Sequence, residues 1–131
     1  MTYNIIYCIV LVWVVITIQM SGGNKLDAQL KKGLLDVCVL SVVSRGDTYG
    51  YKLTQEITEL MEVSESSLYP VLRRLESQGL LDTYSKEHSG RLRKYYRITS
   101  KGIERLRESI DELRELKRII DYLTGGGRNG Q

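Results

Sequence analysis

Two clusters of side chains carry the concentrated chemistry of this sequence. Ser66, Ser67, Tyr69, Arg73 and Arg74 lie close together, and Arg91, Arg93 and Lys94 follow after a short gap. Hydroxyls and guanidinium groups in such a set bind rather than react. Small hydroxyls allow close approach to a polyanion, and arginines reach phosphates or the acceptor edge of guanine. The chain supplies little for catalysis. His88 is the single histidine, which excludes a histidine metal cluster, and also a histidine-bearing triad unless His88 alone serves it. Cys8 and Cys38 give neither a disulfide framework nor zinc spacing, and Cys38 sits in an apolar run as a small core residue would. There is no Walker sequence, and Gly125-Gly126-Gly127 has no helix behind it to receive a phosphate. No catalytic residue, metal or cofactor is expected, and the chain reads as a non-enzyme.

The first cluster needs a helix to present it. From Ser64 to Gly79, at 100° per residue, Leu68, Val71, Leu72 and Leu75 form one stripe, and Ser66, Pro70, Arg73, Arg74 and Ser77 fall opposite. Ser64 or Ser67 can cap the start, and Gly79 stands where a left-handed residue ends a helix. Pro70 is harmless if the regular helix starts at Ser67 and bends the first turn otherwise.

Upstream, Leu26, Leu30, Leu34, Val37 and Cys38 mark a helix whose apolar residues from Leu34 to Val43 cover most of its circumference, as in a central helix. Arg45-Gly46-Asp47-Thr48 ends it, and Asp47 or Thr48 can cap the next, where Leu53, Ile57, Leu60 and Met61 share a face. Two helices joined by a tight link, the second basic, make a helix-turn-helix. The second cluster falls on a β-hairpin. Leu80 to Lys86 is one strand, Glu87-His88-Ser89-Gly90 the turn, and Arg91 to Ile98 the other strand, alternating Tyr96 and Ile98 against Tyr95 and Arg97. Placed after a basic helix, it reads as a wing for the phosphate backbone or minor groove. Taken alone, it is also what a charge-guarded edge hairpin looks like.

Charge distribution agrees with this placement. The net charge of +3 is too small to argue for nucleic acid, but Leu26–Leu72 holds four basic and seven acidic residues (net −3), and Arg73–Arg97 holds seven basic and three acidic (net +4). A last helix, capped by Thr99 or Ser100 and running to about Leu123, carries Ile103, Leu106, Ile110 and Leu113 at 3-4-3 spacing, then Leu116, Ile120 and Leu123. That seam predicts pairing with the same helix of a second subunit, or folding back on the first helix. Ile103, Leu106, Ile110, Leu113 and Ile120 are the expected dimerisation residues.

With 131 residues, 42% hydrophobic and 27% charged, the chain is most simply one globular domain with appendages. The expected division is an apolar arm at 1–20, a winged-helix domain at 21–99, a dimerisation helix at 100–123 and a disordered tail at 124–131. Met1–Gln19 holds no charged side chain. As a membrane helix, Tyr3–Met20 would be about 27 Å long against a hydrocarbon core of about 30 Å, with Lys25, Lys31 and Lys32 keeping the remainder in the cytoplasm. As a cleaved signal it lacks a basic start and a small-residue cleavage site. As upstream sequence before a true start at Met20 it would be absent from the native protein. The expected compartment is the cytoplasm, with a single-pass tether only if the arm is genuine.

Lys32-Gly33-Leu34-Leu35 with Val39-Leu40, Tyr49-Gly50-Tyr51, the run Ser67–Glu76 with Gly79-Leu80, and Arg93–Thr99 with Gly102 together resemble the PadR family of bacterial transcriptional regulators. The resemblance covers about Leu26–Leu123, and the single helix after the wing is similar to the family's short-C-terminal subgroup. It implies a mainly α winged helix-turn-helix with a small β-hairpin and a long C-terminal dimerisation helix. It also implies a homodimeric repressor on double-stranded DNA, bound at an inverted-repeat operator and released by a small aromatic or amphiphilic effector. By position, Ser66, Ser67, Tyr69, Arg73 and Arg74 would face DNA from the recognition helix and Arg91, Arg93 and Lys94 from the wing, with Tyr96 in core register. Some members stack planar drugs on a tryptophan of the last helix. This chain has its only tryptophan, Trp13, in the arm. The competing class is a winged-helix protein-interaction module, tethered to a membrane through the arm, with an incidental basic face.

Overall fold

The computed structural model describes residues 27–125 and, ahead of them, Ile9 alone. The expectations for the apolar arm, including Trp13, and for the tail after Gly125 therefore lie outside the described residues. Among those described, no helix is long and apolar enough to cross a membrane.

The first helix, α1 (Ala28–Ser44), is central because its apolar residues surround it. Leu35, Val39, Leu40, Val42 and Val43 are buried, and Val37 and Cys38 pack partly against the same core. It touches every other helix and the hairpin. A two-residue strand, β1 (Thr48–Tyr49), follows and leads directly into α2 (Gly50–Thr58). This departs from the expected side-chain cap. Thr48 and Tyr49 pair with Tyr96 and Tyr95 across the sheet, Thr48 is buried, and the Asp47 carboxylate accepts a hydrogen bond from the Tyr84 hydroxyl at 2.6 Å, so neither candidate reaches the helix start. Helix α2 buries Leu53, Thr54 and Ile57. It ends before Leu60, which is 70% exposed rather than on the core face.

Helix α3 (Glu65–Ser77) buries Leu68, Val71, Leu72 and Leu75, as their spacing predicts. Ser64 is the cap, accepting from the Ser67 amide at 3.3 Å, so Pro70 lies within the helix at its sixth residue. Its C-terminus closes on Gly79 at φ +74°. The Leu80 amide donates to the Leu75 carbonyl and the Gly79 amide to the Glu76 carbonyl, which satisfies two otherwise orphaned acceptors. This sharp reversal launches the hairpin from the buried Leu80 and Leu81.

Strands β2 (Leu81–His88) and β3 (Arg91–Ile98) are antiparallel, and the sheet order is β1-β3-β2. The turn is only Ser89-Gly90, both in the left-handed region (φ 52° and 76°), whose twist matches the strands it joins. Glu87 and His88, expected in the turn, instead pair with Leu92 and Arg91.

Helix α4 (Ser100–Leu123) is capped by Thr99, whose Oγ1 accepts from the Gly102 amide at 3.0 Å and donates to the Gly79 carbonyl at 2.7 Å. Its first half folds back on α1. Leu106 is buried in the main core, and Ile110 packs partly against it. The later apolar residues Leu116, Ile119, Ile120 and Leu123 are 41–58% exposed. The anticipated single seam is therefore divided: Leu106 serves the chain's own core, and the C-terminal half is left uncovered.

Candidate nucleic-acid interface

The outward face of α3 is built by its leucine stripe. With Leu68, Leu72 and Leu75 held in the core, Ser66, Tyr69, Pro70, Arg73 and Ser77 are turned to solvent. At its N-terminal end the hydroxyls form a small cluster: Ser64 Oγ lies 3.0 Å from Ser66 Oγ and 2.9 Å from Ser67 Oγ. Tyr69 is 42% exposed, and its ring lies against the start of α2. A Cβ on Gly50 would stand 3.3 Å from that ring and its hydroxyl, so glycine there gives the ring its seat. Arg73 is exposed and makes no ion pair among the described residues.

Arg74 departs from its expected place. It lies on the flank of α3, half-buried, and its guanidinium pairs with the Asp36 carboxylate of α1. Burial raises the Asp36 carboxyl above its ordinary value, against the opposing pull of Arg74 and, more weakly, Lys32 and Arg105. The guanidinium is thus committed within the protein.

The wing cations are likewise not one group. Successive strand residues face opposite sides, so Arg91 and Arg93 share the outer face of the sheet while Lys94 points toward α3. Lys94 Nζ lies 3.3 Å from Glu76 Oε2, and the other Glu76 oxygen accepts from Thr83 Oγ1 at 3.1 Å. Arg93 stacks over the Tyr49 ring, its guanidinium carbon 4.5 Å from the centroid. Arg91, beside the turn, is exposed and makes no ion pair among the described residues.

The aromatic layer under these cations is what sequence reasoning missed. Tyr84 stacks on Tyr95 with centroids 5.5 Å apart, Tyr49 meets Tyr95 edge-on at 5.5 Å, and Lys86 and Arg97 lie over Tyr95 and Tyr84. Tyr95 is consequently buried although its strand parity faces outward. The signal was present in the alternating tyrosines, but reading it required the register Tyr84↔Tyr95, which the Ser89-Gly90 turn sets. Tyr96 is buried in core register as expected, and burial raises its phenol. The Tyr84 phenol is raised mainly by its hydrogen bond to Asp47.

Of the expected dimerisation residues, Leu106 is buried, Ile110 and Leu113 are half-buried, and Ile103 and Ile120 are exposed. Among the described residues no group of three or more His, Cys, Asp or Glu is placed to hold a metal ion.

Comparison with known proteins fits this geometry. Transcriptional regulator Rv3488 of Mycobacterium tuberculosis is 34% identical over 93 residues, spanning 70% of this chain and 87% of that protein. The crystal structure of a PadR-like transcriptional regulator from Bacillus cereus superposes with a TM-score of 0.68 at 35% identity, covering 73% of this chain and 96% of the other. That of a PadR family transcription regulator from Clostridium difficile gives 0.64 at 31% identity, covering 67% and 95%. The model of the transcriptional regulator PadR-like family matches residues 39–108, from the middle of α1 into α4 and across both basic clusters. With more than half its length under that match and a winged-helix fold shared with solved family members, the chain belongs to the PadR-like family of transcriptional regulators.

Proposed function

We propose that this regulator is a homodimeric repressor that binds an inverted-repeat operator, with α3 in the major groove and the wing on the flanking backbone. The observation that carries the reading is the outward face of α3, where Arg73 stands free of any described carboxylate beside Ser66 and Tyr69, opposite a buried leucine stripe. Arg73 reads a base edge, and Ser66, Ser67 and Tyr69 approach the groove floor and walls. Arg91 leads the wing contacts with phosphates, supported by Arg93, while Lys94 is engaged by Glu76 of α3. Dimerisation uses the uncovered C-terminal half of α4, where Ile120 and its apolar neighbours would bury against a second copy. A small aromatic or amphiphilic effector releases the repressor. A cleft of about 540 Å³ between α1 and α4, with Leu30, Leu34, Val37, Leu113 and Leu116 in its wall, supports that part of the reading. Fluorescence anisotropy with the regulator's own promoter region tests the proposal. Saturable binding that a scrambled duplex fails to compete supports it, and equal affinity for both duplexes removes it.

A further inference from the structure

The recognition helix is gripped on both flanks. Asp36 of α1 takes the Arg74 guanidinium on one side, and on the other Lys94 of β3 and Thr83 of β2 both meet Glu76. Around the helix axis, at 100° per residue, Arg74 and Glu76 stand about 160° apart. Arg73, Ser77 and Ser66 fall between them, and the buried Leu75 separates the two in sequence. The two pairs therefore straddle the face that would meet a base pair, one anchored on the central helix and one on the wing.

Neither pair is a strong source of stability. The Lys94–Glu76 contact is largely exposed, with side-chain accessibilities of 51% and 34%, and such pairs contribute little. At Asp36 the cost of burial outweighs the pull of Arg74, so the carboxyl is held above its ordinary value. What both do supply is geometry. Recognition tolerates errors of only about 0.5 Å or 10–20° in the placing of a contact group, so a roll of α3 beyond about 10–20° would carry Arg73 outside that range.

We infer that Asp36 and Glu76 are positioning residues for DNA recognition, their ion pairs with Arg74 and Lys94 fixing the roll of α3 between α1 and the wing. This rests on the reading of α3 as the recognition helix. Arg74 then acts through α1 instead of on a base, and two acids near a polyanion assist its specific binding.

That last consequence has a sign opposite to simple electrostatics and is the basis of the test. Neutralising an acid beside DNA removes repulsion and frees a cation, which strengthens binding to any duplex. The full chain and its Asp36→Asn and Glu76→Gln variants are titrated against two probes, the duplex that the wild type enriches from its own genome and a scrambled duplex of equal length. The expected result is a loss of about tenfold on the enriched duplex, with affinity for the scrambled one unchanged or increased. A fold weakened in general would not lower that ratio among folded molecules, and Asp36→Glu is expected to restore part of it. Should Asp36→Asn fail to fold, the more exposed Glu76→Gln decides. Variants that keep or raise the wild-type ratio overturn the positioning role while leaving the recognition helix in place. A wild type with no preference between the duplexes overturns both.

Discussion

Arg73→Ala removes the guanidinium on the outward face of α3 that no described carboxylate holds. Inside the protein the change deprives nothing of a partner, because Arg73 is exposed and unpaired among the described residues, so stability should stay within about 0.5 kcal/mol of wild type. At the operator it should cost about 1–3 kcal/mol per half-site, the value of one bidentate guanine contact, or roughly 5- to 150-fold in Kd for each half-site the dimer engages. Arg74→Ala makes the internal control. It strips the half-buried Asp36 of its partner and should lower stability by about 1–2 kcal/mol, and its effect on DNA should be a loss of discrimination through α3 placement. Anisotropy titrations on the operator and on single-base variants of it, with urea melts alongside, separate the two. An unchanged operator affinity in Arg73→Ala would refute the recognition-face argument. An equal loss on operator and scrambled DNA would show that Arg73 contacts phosphate only.

Arg91→Ala should weaken all duplexes similarly and lower the slope of log K against log salt by about one unit, read from titrations across salt concentrations. Ile120→Asp should dissociate the dimer, seen by sedimentation, while the monomer stays folded, because Ile120 is 47% exposed in the chain by itself. Leu106→Ala should instead reduce the stability of the chain's own core by about 2–4 kcal/mol in a urea melt, since Leu106 belongs to that core. Gly102→Ala should destabilise by about 1–3 kcal/mol, because a Cβ there would stand 2.2 Å from the Leu80 carbonyl oxygen and 2.7 Å from Ile98 Cγ1, where α4 leaves the sheet.

Local signals carried far in this chain. The 3.6-residue stripe of α3 with its Ser64 cap and Gly79 stop, and the wrapped apolar surface of α1, were readable because each is set by neighbours within a few residues. What escaped reading depends on partners distant in sequence. Two residues have no periodicity, so β1 is visible only through its pairing with Tyr95 and Tyr96 on β3. The pairing of Arg74 with Asp36 is likewise hidden, because a helical wheel shows a flank but not the Asp36 of another helix standing beside it. The separation of Arg91 and Arg93 from Lys94 is legible in strand parity but not in charge alone. The division of α4 could not be read from its spacing, because a seam of the same pattern suits a helix in the same chain or in another.

The central claim is that α3 reads DNA sequence in the context of a twofold dimer. Recovering and footprinting the genomic fragments that the full chain retains tests it most directly. The account predicts one enriched inverted repeat near the regulator's own promoter, with two protected half-sites whose centres lie about one helical turn, 10–10.5 base pairs, or a multiple of it apart. Retention of fragments with no shared sequence, or protection of a single unrepeated site, would contradict it.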